Sequence, residues 1–180
     1  MEKKRLYLCR HAHYAKTEHF PTGVITALGF SQANTLGTYL KSALQVDPAE
    51  SVILCSSMSR SYLTGLAVAS SLGFPFEKSR LIEDDRLIEQ RKPSQEYIKG
   101  GVLPSLEEQL RRHSGSTMVA ILHGNINKGI FEHLGTKVQG IMSNCAVYAL
   151  DYTVQGSFID REFYRAPQDM LNDLNQIAVK

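Results

Sequence analysis

The sequence predicts a three-layer α/β/α domain with a largely parallel central sheet. Short apolar runs at 6–9, 51–55 and 118–122 lack polar alternation, the pattern of strands covered on both faces. Stretches whose apolar residues recur at steps of three or four follow these runs, as amphipathic helices do. Strand and helix alternate along the chain, which calls for crossover connections and parallel pairing.

Leu6-Tyr7-Leu8-Cys9 reads as a central strand ending at Arg10-His11. Thr26 is placed to N-cap a helix through Ala33, Leu36, Leu40 and Ala43, with Asp47-Pro48 beyond its end. Residues 51–55 form a second strand, followed by Ser56-Ser57 and a helix through Tyr62, Leu66, Ala69 and Leu72 that Gly73 closes. Residues 74–101 are less regular, with a short strand at 80–82 and otherwise loop and short helix. Ser105 to Glu108 fits a capping box opening a helix to about His113. The strand at 118–122 runs straight into His123-Gly124-Asn125, and a helix is expected over 127–134. Alternating segments at 146–152 and 157–164 read as paired strands around Gln155-Gly156, and Pro167 opens a terminal helix through Met170, Leu171, Leu174 and Ile177.

The chain has 180 residues, 43% of them hydrophobic, enough for one sizeable core, so a single domain over 1–180 is expected, with a short cap region at about 77–101. Its 20 Lys and Arg against 18 Asp and Glu leave a formal charge of +2, with no long basic run, which argues against a nucleic-acid partner. Cys9, Cys55 and Cys145 each lie in or beside an apolar run and are expected as core thiols of a reducing compartment. The apolar stretch after the basic start ends at Arg10, too soon for a signal-peptide core, and no stretch is long enough to span a bilayer. The expected setting is cytoplasmic, with no membrane partner.

In a sheet of this kind ligands sit beyond the carboxyl ends of the strands. That rule singles out Arg10-His11, Ser56-Ser57 with Arg60, and His123-Gly124, joined by Glu89 from the irregular segment. Guanidinium forks hold a phosphoryl group from different sides, and an imidazole supplies a nucleophile near neutral pH. A second imidazole, protonated, would stabilise the equatorial oxygens. Phosphoryl transfer asks mainly for positioning and charge stabilisation, so this set suffices without a metal or other cofactor.

Leu8-Cys9-Arg10-His11-Ala12 resembles the Arg-His-Gly or Arg-His-Ala signature of the histidine phosphatase superfamily, the phosphoglycerate mutase-like enzymes. Thr26-x-x-Gly29-x-x-Gln32-Ala33 resembles that family's first-helix pattern, and Cys55-Ser56-Ser57-Met58-Ser59-Arg60-Ser61 its Ser-Ser-Pro-Leu-x-Arg-Ala segment. Arg86-Leu87-Ile88-Glu89 resembles its Leu-x-Glu segment, and Leu122-His123-Gly124-Asn125 its second-histidine motif. The matches fall in the family's order and run from about Leu6 to Tyr152. The resemblance implies a phosphoglycerate mutase-like fold. It implies His11 as phosphorylated nucleophile, Arg10, Arg60 and His123 as the phosphate pocket, and Glu89 as proton donor. The nucleophile's other ring nitrogen would be held by a nearby backbone carbonyl.

The sequence departs from the pattern in places. His13 stands where the family often has Glu or Gln and is the rival proton donor by proximity. The loop from His13 to Val24 lacks Thr-x-x-Asn, Met58 replaces a proline, and Gln90-Arg91-Lys92-Pro93 follows Glu89 in place of Gly-x-Trp-Glu-Gly. The pair His11-x-His13 invites a zinc reading, against which the adjacent arginine argues. The expected activity is a phosphomonoesterase acting on a phosphorylated small molecule or a phosphoprotein, with no metal. A mutase is less favoured, because the span between Arg60 and His123 is short. The alternatives are a protein phosphohistidine phosphatase and a phospho-ligand binding module without turnover.

Overall fold

The computed structural model describes residues 3–74, 80–136, 142–153 and 155–164. The elements in chain order are β1 (Lys4–Arg10), β2 (Tyr14–Ala15), β3 (Val24–Ile25), α1 (Ala27–Ser42), β4 (Ser51–Ser56), α2 (Ser59–Leu72) and β5 (Leu81–Asp84). A helical run follows, made of α3 (Gln95–Tyr97), a π-helical turn at Ile98–Val102 and α4 (Leu103–Arg112). Then come β6 (Thr117–Leu122), α5 (Gly124–Leu134), β7 (Val147–Tyr152) and β8 (Phe158–Tyr164).

The main sheet has the order β5-β4-β6-β1-β7-β8, and β2 and β3 form a separate pair. Pairing is parallel from β5 through β4 and β6 to β1, and antiparallel for β1–β7 and β7–β8. Because side chains alternate across a strand, the sheet builds two cores. Leu6, Leu8, Val52, Leu54, Met118 and Ala120 face Leu106 and Leu110 of α4 and Ile126 and Ile130 of α5. Tyr7, Cys9, Ile53, Cys55, Val119 and Ile121 face Leu36 and Leu40 of α1 and Val68 and Leu72 of α2. Helices cover both faces, the three layers that the continuous apolar runs predict, and burying one such leucine contributes about 2 kcal/mol. Cys9, Cys55 and Cys145 are buried free thiols within this packing.

Thr26 caps α1 by accepting from the Gly29 amide, and Gly73 ends α2 in the left-handed region at φ 81°. Met58, in place of the proline, adopts φ −70°, close to the angle a proline ring imposes, so the turn into α2 is kept.

Two helix boundaries are corrected. The expected capping box at Ser105 lies inside a helix that starts ten positions earlier, where Ser94 caps α3 by accepting from the Tyr97 amide. Gly100-Gly101 lies in the wider π-helical turn, which carries the helix past the glycines that argue against it in the sequence. Ser105 instead donates to Asp84 Oδ2 at 2.7 Å. The helix expected from residue 127 begins at Gly124, immediately after β6, because packing of buried Ile126 outweighs the poor helix propensity of Gly124-Asn125. The terminal helix expected from Pro167 lies outside the described residues. Among the described residues no helix is long and apolar enough to cross a membrane.

Candidate active site

β1, β4 and β6 are parallel neighbours, so their carboxyl ends open at one edge of the sheet. His11 follows β1, and its amide donates to the Leu122 carbonyl at 2.9 Å, which ties it to the end of β6. Its Nδ1 lies 2.8 Å from the Ala12 carbonyl. A carbonyl only accepts, so Nδ1 carries the proton and Nε2 keeps a lone pair. The nearby carbonyl expected for the nucleophile is that of Ala12. Ala12 is buried, and its amide donates to Thr64 Oγ1 at 3.1 Å, which binds the turn at His11 to α2.

His123 occupies the N-cap position of α5, is 0% exposed, and has neither ring nitrogen hydrogen-bonded among the described residues. Its ring centroid lies 5.2 Å from that of His11. Arg60, in the first turn of α2, is 2% exposed; its Nη2 donates to Glu89 Oε2 at 2.5 Å and its Nη1 to the Thr22 carbonyl. Arg10 donates from Nη1 to the Met142 carbonyl at 2.6 Å. The Nε atoms of both arginines are buried without a partner among the described residues.

The structure therefore brings His11, His123, Arg10, Arg60 and Glu89 to one place. It does not bring the His13 side chain there: His13 is exposed and its Nδ1 bonds Thr26 Oγ1 at 2.9 Å. Glu89, 27% exposed in its side chain, reaches the site from a loop that Tyr97 fixes by donating its hydroxyl to the carbonyls of Arg86 and Ile88 at 2.8 and 3.1 Å.

Sequence reasoning missed Tyr14, whose ring meets His11 edge-on at 5.2 Å and lies under the Arg60 guanidinium at 4.7 Å. It also missed Thr22 and Thr64. Tyr14 belongs to a loop without the family's usual pattern, and Thr22 contributes a backbone carbonyl, which no side chain in the sequence reveals. The Gly23 that follows, at φ 90°, leaves room for the Tyr14 ring, since a Cβ there would lie 2.4 Å from Tyr14 Cδ2.

The electrostatics of the pocket without an anion bear on the expected protonation of the second imidazole. Burial, with Arg60 and Arg10 acting in the same direction, lowers the His11 pKa to about 3, and burial, His11 and the two arginines lower that of His123 to about 2. The second imidazole is neutral in this pocket, not protonated, because guanidinium charges and a low-dielectric setting both disfavour another cation. A dianion bound between the arginines would act in the opposite sense.

Donor atoms of His11, Glu89 and His123 lie within 4.8 Å of one another, a set that could by type hold a metal ion. The two guanidiniums acting on both imidazoles oppose a cation there and suit an oxyanion.

No family model matches the sequence, and no curated protein matches it. Solved structures do. The protein histidine phosphatase SixA complexed with tungstate superposes with a TM-score of 0.71 at 16% identity, over 92% of this chain and 99% of that one. A mycobacterial glucosyl-3-phosphoglycerate phosphatase gives 0.68 at 15%, over 92% and 99%. A phosphoglycerate mutase from Bacillus anthracis gives 0.68 at 16%, over 89% and 92%. The chain thus has the α/β fold of the histidine phosphatase superfamily, the phosphoglycerate mutase-like fold.

Proposed function

We propose that the protein is a metal-independent phosphomonoesterase that works through a phosphohistidine on His11. One observation carries the reading. The buried His11 has its Nδ1–H committed to the Ala12 carbonyl, while its lone pair belongs to a pocket shared with Arg10, Arg60 and His123. The fold supports it, since the similar structures include a protein histidine phosphatase and a glucosyl-3-phosphoglycerate phosphatase.

In the reaction the phosphoryl oxygens take hydrogen bonds from Arg10, Arg60 and an N–H of His123. The Glu89 carboxylate occupies Arg60 in the empty site, so an arriving phosphate monoester monoanion exchanges with it, passes its own proton to the carboxylate, and leaves a protonated Glu89 facing the leaving oxygen. His11 Nε2 attacks phosphorus, the phosphorus–oxygen ester bond breaks, and Glu89 gives its proton to the departing alkoxide. The ring gains positive character, which the Ala12 carbonyl stabilises at Nδ1–H. Water then attacks phosphorus, gives a proton to Glu89, and releases phosphate with His11 neutral again. The segment at about 77–101, which carries Glu89, serves as a short cap, and the whole of 1–180 acts as one domain.

The substrate is a phosphorylated small molecule or a phosphoprotein. The likeness to SixA favours a protein phosphohistidine phosphatase as the second reading. Rapid quench with phosphorus-labelled substrate should trap an acid-labile, base-stable adduct that His11→Ala does not form, and chelators should leave the rate unchanged. Full activity in His11→Ala, or activity lost to EDTA and restored by zinc, overturns the reading. Failure to hydrolyse p-nitrophenyl phosphate while phosphate still binds would make it a binding module.

A further inference from the structure

Glu89 ends a short segment whose backbone is bonded step by step. The Arg86 amide donates to Asp84 Oδ1 at 2.9 Å, the Ile88 amide donates to the Asp85 carbonyl at 3.3 Å, and Leu87 between them is 0% exposed. The Tyr97 hydroxyl closes the set, with its proton between the carbonyls of Arg86 at 2.8 Å and Ile88 at 3.1 Å. The Ile88 carbonyl matters most. A peptide unit is planar, and the unit that contains the Ile88 carbonyl ends at the Glu89 Cα. A donor held on that oxygen therefore fixes the plane from which the Glu89 side chain departs.

Tyr97 is itself held from behind. Its amide donates to Ser94 Oγ at 3.1 Å, and its ring packs against the core cluster that includes Leu106 of α4 and Ile126 of α5. The next residue, Ile98, is 0% exposed and fills space that Gly129 of α5 leaves open, since a Cβ there would lie 2.8 Å from Ile98 Cδ1. His123 stands at the N-cap of that same helix. Tyr97 is thus a strut between the helix that starts at His123 and the peptide that carries Glu89.

We propose that Tyr97 is a positioning residue for the proton transfer: its hydroxyl, by holding the Ile88 carbonyl, sets where the Glu89 carboxyl group stands relative to the leaving oxygen. The inference rests on the phosphatase reading with Glu89 as proton donor. Proton transfer needs the two oxygens at hydrogen-bond distance, and a displacement of about 1 Å costs up to about 100-fold in rate. Tyr97 acts through Glu89 alone and touches no substrate.

The test measures a primary alkyl phosphate and p-nitrophenyl phosphate on the parent, Tyr97→Phe, Glu89→Gln and the double variant. Tyr97→Phe keeps the ring and its packing and removes only the hydroxyl. It should lower kcat for the alkyl ester about tenfold with KM near the parent value, and leave p-nitrophenyl phosphate within about twofold. In the Glu89→Gln background the same change should add less than about twofold, because no proton donor is left to place. Ser94→Ala should give a smaller loss of the same kind, and Ser94→Thr, which keeps a capping oxygen, should restore it. General loosening of the fold would slow both esters and would persist without Glu89. A Tyr97→Phe variant that slows both esters alike or neither, or whose loss persists in full beside Glu89→Gln, overturns the inference and leaves the proton donor standing. If Glu89→Gln itself shows no contrast between the esters, or the parent hydrolyses neither, the reading of Glu89 falls first and the inference falls with it.

Discussion

At the scale of single residues, the site depends on which partners an ionisable group has before substrate arrives. Glu89 is held by Arg60 at 2.5 Å, so it contributes charge balance in the empty site, and in the proposed reaction it gives a proton during turnover. These roles separate by leaving group, because p-nitrophenolate departs without a proton and an alkoxide does not. Glu89→Gln should slow an alkyl phosphate by about 100-fold and p-nitrophenyl phosphate by only a few fold. His13→Gln should show little contrast, since its imidazole bonds Thr26. Equal losses on both esters in Glu89→Gln would reduce Glu89 to a structural partner of Arg60. Tyr14 acts through its ring, edge-on to His11 and flat under Arg60, and no bond of its hydroxyl enters that argument. Tyr14→Phe should therefore keep kcat/KM near the parent value, while Tyr14→Leu should lose about tenfold through misaligned groups. A Tyr14→Phe variant as impaired as Tyr14→Leu would mean that the hydroxyl matters.

At the scale of elements, the residues of the first-helix motif share one task. Thr26 Oγ1 accepts from the Gly29 amide and meets the His13 ring, Gln32 Oε1 accepts from the His13 amide at 2.9 Å, and the His13 carbonyl lies against Gly29. The start of α1 is a clamp on the backbone two residues past His11. A Cβ at Gly29 would sit 2.0 Å from the His13 carbonyl oxygen, and backbone cannot swing aside as a side chain does. Gly29→Ala should cost about 2 kcal/mol or more in denaturant unfolding and lower kcat more than it raises KM. Unchanged stability would mean that the loop yields freely.

Much of this was legible in advance. The apolar runs, the Thr26 cap and Gly73 place β1, α1, β4 and α2 because local chemistry and tertiary packing agree there. Residues 95–112 were harder, since Gly100-Gly101 argues for a break that the π-helical turn accommodates, and Ser105 serves Asp84 instead of a helix end. Arg10, His11, Arg60, His123 and Glu89 were legible from strand ends and motif order. Tyr14 was not, because its role depends on Gly23 and Arg60 arriving from distant parts of the chain.

At the scale of the whole molecule, two buried neutral imidazoles tie stability to acidity. His11 and His123 titrate at about 3 and about 2 when folded, against 6.5 for an ordinary imidazole. The unfolded chain therefore binds more protons below about pH 6.5, so stability is full above that value and falls as the pH drops toward the folded values. Each group contributes a slope of up to about 1.4 kcal/mol per pH unit across that window. The melting temperature should decline from pH 7 to pH 5, less steeply in His11→Asn, and bound phosphate or tungstate should reduce the decline. A flat profile over that range would show that neither imidazole is desolvated.

The place of β1 in the sheet also governs when the molecule can exist at all. Its partners on either side are β6 and β7, so this strand, made before both, lacks them until residue 117 and beyond have emerged. Contacts so distant along the chain are slow to form and leave an apolar strand waiting. The His11 imidazole consequently gains its surroundings late in folding even though it is made well before β6, and chains truncated before β6 hold this histidine without the pocket around it.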